Sequence, residues 1–127
     1  MAMPDLIGTW KLLEARAYDV DGTELPPPLG PEPMGVILYG PGRIMVTLGD
    51  GRREAAAPRA FNSYAGSYDF DGETLVIHVD SASGPEPMTK QVRRLIFETP
   101  DRYVAVPLTP FFGIGSGLKH TWQRTGR

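Results

Sequence analysis

Leu6-Ile7-Gly8-Thr9-Trp10-Lys11-Leu12 opens the first strand-like run of this chain, and Trp122-Gln123-Arg124 closes the last. A glycine lets two backbones approach closely, a tryptophan supplies a large apolar plug with one polar edge, and an arginine can lie across that plug as a cation on an aromatic face. Brought together from the two ends of the chain, the three close one end of a small β-barrel. A barrel closed at one end is a cup for a small molecule.

Working outward, short β-branched and aromatic runs alternate with turn signals, and no segment carries a long apolar stripe at helical spacing. Strands are predicted over residues 8–20, 34–39, 43–48, 63–70, 74–80, 90–98, 102–106 and 118–124. Asp21-Gly22, Gly40-Pro41-Gly42, Asp71-Gly72 and Thr99-Pro100-Asp101 supply turns between them, with loops at 26–33 and 83–87. The predicted fold is all-β: an antiparallel up-and-down barrel of about eight strands, the count at which the interior just holds one ligand. Two stretches break the meander. Residues 52–60, with Glu54-Ala55-Ala56-Ala57 before Pro58, have the composition of a short helix or helical turn able to cover the mouth. Residues 110–117 set Phe111 and Phe112 beside a glycine tract, a loop whose phenyl rings can form a lid; with no Lys-Ser/Thr following it, it is a poor phosphate loop.

The bulk composition narrows the function. At 127 residues the chain is one domain over 1–127. A net charge of −2 leaves no basic surplus for a nucleic-acid backbone or an anionic membrane, so neither is an expected partner. Without cysteine there is no disulfide framework, thiolate nucleophile or Cys-type zinc site. No export-type leader or apolar span is visible at the start, and a cytoplasmic location is expected. A homodimer is plausible for a small barrel, with no residue locating its interface.

Together the opening and closing runs, Gly35-Val36-Ile37-Leu38-Tyr39 with its Gly-Pro-Gly turn, and Tyr64-Ala65-Gly66-Ser67-Tyr68-Asp69-Phe70-Asp71-Gly72-Glu73-Thr74 resemble the bacterial lipocalin-like domain family, small calycin-type barrels. The resemblance covers most of the chain and rests on the order and spacing of the motifs. It implies a barrel with an internal pocket and no single reaction, because such barrels host both plain binders and cofactor-free enzymes of biosynthetic pathways. Family members often carry two adjacent histidines where this sequence has Ile77-His78.

Candidate site residues follow from strand parity. His120 shares a face with Leu118, Trp122 and Arg124, so it enters the lumen if Trp122 does. His78 depends on one turn. A two-residue Asp71-Gly72 turn puts Leu75, Ile77 and Val79 inside with Tyr68 and His78 outside, whereas a three-residue loop turns Val76 and His78 inward. Tyr64 and Tyr68 share a face and offer the lumen either hydroxyls or apolar wall, as does Tyr39. Arg94 is in phase with Val92 and Ile96, and Arg93 with Leu95 and Phe97; whichever enters needs an anion for its guanidinium. Glu14 and Arg16 share the parity of Trp10 and Leu12 and are either an interior pair or the mark of a bulge. The expected catalytic set is His120, His78 and Tyr68 as acid–base groups with Arg94 steadying negative charge. Tyr39, Tyr64, Phe111, Phe112 and Trp122 are expected to hold the ligand, with no metal and no cofactor. The function expected is that of a cofactor-independent isomerase, cyclase or lyase acting on a small, largely apolar molecule. A non-catalytic binder is the alternative.

Overall fold

A computed structural model describes residues 4–54, 59–84, 90–109 and 117–127. Its strands are β1 (Gly8–Tyr18), β2 (Glu24–Leu25), β3 (Pro33–Gly40), β4 (Arg43–Asp50), β5 (Phe61–Phe70), β6 (Thr74–Ala82), β7 (Gln91–Thr99), β8 (Arg102–Pro107) and β9 (Leu118–Gly126). All neighbours are antiparallel, β3 to β9 run as a meander, and β1 pairs with both β3 and β9, so the sheet closes into an eight-stranded barrel with the short β2 as an appendage on β1. This is the predicted architecture.

Inward and outward residues alternate as the pleat demands. Ile37 and Tyr39 on β3, Ile44, Val46 and Leu48 on β4, and Leu75 and Ile77 on β6 enter the core, while Val36, Leu38 and Met45 face out. The β3–β4 hairpin turns on Pro41 and Gly42 between the paired Gly40 and Arg43. Proline presets the first turn position, and glycine supplies a φ of 74° at the second. In β1 the register against β9 slips between Leu12 and Glu14. The extra residue reverses parity, so Ala15 and Ala17 point in while Glu14 and Arg16 pair with each other on the outer wall.

The two ends of the barrel are closed differently. At the end where β1 begins, Trp10 is wholly buried. At the opposite end, where β4 finishes, the Pro-rich loop brings in Leu29, which is also fully buried in the core, with Gly30 packed on the Asp50 carboxylate. Arg52 clamps Asp50 through Nη2–Oδ2 at 2.6 Å, and Arg59 donates to the carbonyls of Asp50, Arg52 and Arg53.

Those contacts replace part of the expected helix over 52–60. Arg53 and Glu54 form a turn whose carbonyl side is taken by the Arg59 side chain; positions 55–58 lie outside the described residues, and among the described residues there is no helix. None therefore is long and apolar enough to cross a membrane.

Candidate functional site: the barrel lumen

At the Trp10 end, Nε1 donates to the Leu6 carbonyl at 2.9 Å. The Arg124 guanidinium lies 4.4 Å from the tryptophan ring centroid and donates to the carbonyls of Ile7 and Asp5, while its Nε meets Asp101 at 2.7 Å. Gly8 adopts a φ of 129°, and a Cβ there would overlap the Gly126 carbonyl. Above this plug, Tyr103 and Tyr39 pack on Trp10 with ring centroids at 4.8 and 6.4 Å. Their hydroxyls share a hydrogen bond of 2.9 Å. Burial pushes both phenols well above the usual range, so both stay neutral.

Beyond the tyrosine pair lies the lumen. Its walls are apolar, from Ile37, Val46, Leu48 and Ile77, and among the described residues four polar side chains reach it besides Tyr39: Tyr64, Tyr103, Arg93 and His120. The cavity among these side chains is about 30 Å³, room on the order of a water or two. His120 is 8% exposed, and its Nε2 is buried without a hydrogen-bond partner among the described residues. Burial, and secondarily the Arg93 charge, push its pKa down to about 4, so the ring is neutral near pH 7. Arg93 is 7% exposed, with Nη2 on Gln91 Oε1 at 3.0 Å and Nη1 on the Val92 carbonyl at 3.2 Å.

The expected catalytic set is thereby separated. His120 is in the lumen, as are Tyr39, Tyr64 and Trp122. His78 is not. Phe70 pairs with Leu75, leaving a four-residue loop 71–74 that neither anticipated turn describes. Asp71 Oδ1 accepts from the backbone N–H groups of Glu73 and Thr74 at 2.9 and 2.7 Å and holds the longer loop. Because this loop exceeds the two-residue turn by an even number, the face assignment of that alternative survives, and His78 stands on the outer wall 3.2 Å from Asp69. Arg94 is likewise outside, its side chain 54% exposed and paired to Glu73 at 2.8 Å, and the inward cation is Arg93. Tyr68 is half-buried beside Tyr39, and its hydroxyl donates to the Gly40 carbonyl at 2.9 Å, which ties it to the β3–β4 turn and away from the lumen. Phe111 and Phe112 lie outside the described residues.

Two buried groups escaped the sequence reading, one lining the lumen and one behind it. Tyr103 is the second residue of β8, in phase with Ala105, an alternation that could have marked it. Gln91, 1% exposed, orients Arg93 from the same strand face, and nothing in its residue type signals an interior position.

The chain matches the lipocalin-like domain family over residues 7–124. It belongs to that family. No curated protein matches the chain at significance. Among solved structures, the lipocalin-like domain is similar to a redesigned β-barrel, with 17% sequence identity, 94% of this chain and 91% of that one covered, and a TM-score of 0.46. A lipocalin-like barrel with this lumen is consistent with binding a small hydrophobic ligand. Chemically, the lumen of the domain offers a neutral imidazole nitrogen, a buried cation and phenol hydroxyls against an apolar wall.

Proposed function

We propose that this domain binds a small, largely apolar organic molecule in its lumen, with the apolar body against the Ile37, Val46 and Leu48 wall and a polar end toward His120. One observation carries the reading: in a cavity with aliphatic walls, a buried imidazole presents an Nε2 that has no hydrogen-bond partner among the described residues. A buried polar group without a partner costs about 1–3 kcal/mol, a cost that a ligand supplying the missing hydrogen bond removes. The narrowness of the lumen means that a ligand of ordinary size displaces water and shifts side chains, with Leu29 and its loop as the part that must yield at that end.

Turnover is the second reading, favoured by the pairing of that imidazole with a buried guanidinium in one cavity. A cofactor-independent isomerase, cyclase or lyase needs a group to carry a proton and a cation to steady the negative charge left behind. His120 would take a proton from a carbon beside a substrate carbonyl, the electron pair would move onto the carbonyl oxygen near Arg93, and the proton would return at another atom.

Native mass spectrometry of the purified protein, alone and after incubation with extract from its source cells, tests both readings. A small molecule retained at unchanged mass and lost on Ala105→Leu, which fills the lumen, supports binding. Conversion of an added metabolite that stops in His120→Ala supports turnover. Retention that survives Ala105→Leu puts the site elsewhere.

A further inference from the structure

We infer that the outer wall formed by β3, β4 and the start of β5 is the face through which two copies of this chain associate as a symmetric homodimer. The inference concerns the outside of the barrel and stands apart from the lumen and its ligand.

The solvent face of a sheet ordinarily carries charge, and elsewhere this barrel's outer wall does, with Lys11 and Arg16 on β1, Asp80 on β6, Arg94 on β7 and Lys119 on β9. Between Pro33 and Gly49 the one charged residue is Arg43, at the hairpin turn. The outward positions there are Met34, Val36 and Leu38 on β3 with Met45 and Thr47 on β4. Register makes them one surface: Leu38 lies opposite Met45, Val36 opposite Thr47, and Met34 opposite Gly49, which in turn faces Phe61 on β5. The Phe61 ring leans over Gly49, since a Cβ on that glycine would sit 3.1 Å from Phe61 Cδ2, and so the apolar cover continues from β3 to β5.

Area and charge point to a second copy as the occupant. Met34, Val36, Leu38, Met45 and Phe61 are each between 41% and 56% exposed. At the full areas usual for such side chains, that is on the order of 400 Å² of apolar surface on one wall. A stable dimer of standard size buries about 800 Å² on each partner, about two-thirds of it apolar in homodimers, so this patch supplies most of the apolar core. Its methionines and phenylalanine are residue types enriched at such cores, and the polar groups inside it are the small hydroxyls of Thr47 and Ser63. On the rim, Lys11 and Glu32 line one groove with Met34 and Val36, and Arg43 pairs with Asp80 at 2.5 Å. In a two-fold contact each copy meets the same patch, where a rim of one sign would repel itself and a rim of both signs does not. An anionic lipid surface would call for a basic rim, which this is not.

Sedimentation velocity of the full chain from about 1 to about 100 μM is expected to show a dimer that dissociates on dilution. Met45→Lys and Leu38→Lys each place two unpaired charges in a two-fold interface and should raise the dissociation constant at least about tenfold, with the circular dichroism spectrum unchanged. Ile96→Lys, at an exposed position of β7 four strands round the ring from β3, should leave the constant as it is. Because the chain has no cysteine, a nitroxide on Met45→Cys reports on this face alone. Pulsed electron paramagnetic resonance should give a shorter distance across the dimer from that label than from one on Ile96→Cys, and this comparison decides if the lysine variants do not fold. A monomer throughout the range overturns the inference, and one that also binds phosphatidylcholine vesicles gives the face to a lipid surface instead. A dimer indifferent to Met45→Lys and Leu38→Lys, or one in which the Ile96→Cys labels are the closer, puts the interface on another wall and overturns it equally.

Discussion

Gly8 occupies a conformation that L side chains rarely adopt, and the space beside it is filled by the Gly126 carbonyl. Gly8→Ala is therefore expected to open the β1–β9 seam locally, with a lower melting temperature and faster amide exchange at Thr9 and Trp10. Trp10→Ala should cost about 3–5 kcal/mol in urea denaturation, because it removes the fully buried ring that carries Tyr39, Tyr103 and Arg124. His78→Ala, on the outer wall, should move stability by no more than about 0.5 kcal/mol and leave ligand retention unchanged. The closing trio was legible in the sequence because its residue types have few other uses in that combination. The choice between Arg93 and Arg94 was not. On β7 the inward face carries Gln91, Arg93 and Leu95 and the outward face Val92, Arg94 and Ile96, so each face mixes polar with apolar residues and alternation does not choose between them.

Elements set which face each of those residues shows. The order of the strands was legible from turn chemistry, since Pro41-Gly42 and Asp71-Gly72 each sit where the chain reverses. Loop length was harder to read: Asp71 uses one carboxylate oxygen to hold two backbone N–H groups, a contact that composition does not reveal. The part played by the Pro-rich loop was also hidden, because a single leucine among prolines carries no periodicity. Leu29→Ala is expected to cost about 2–5 kcal/mol in urea denaturation as a core truncation. Across the β4–β5 connection, Arg52 holds the Asp50 carboxyl down to about 2. A depressed carboxylate contributes stability above its unfolded value of 3.8 that is lost as pH falls through 2. Asp50→Asn should consequently flatten the acid limb of the stability curve in that window, as followed by circular dichroism.

For the whole barrel, the dominant pH effect near neutrality comes from His120. The folded ring titrates at about 4 against 6.5 unfolded, so between those values the unfolded chain binds the extra proton and stability rises with pH. Taking the protein from pH 7 to pH 4 should remove about 3 kcal/mol through this group, and His120→Asn should lack that slope in urea titrations at both pH values. The seam between β1 and β9 has a mechanical consequence. Because the strands are antiparallel and Thr9 pairs with Gly126, a pull that separates the start of β1 from the end of β9 loads the ladder one rung at a time. The barrel would peel open from its tryptophan end under small force, with its rungs yielding in sequence; a load distributed along the strands would have to break them together.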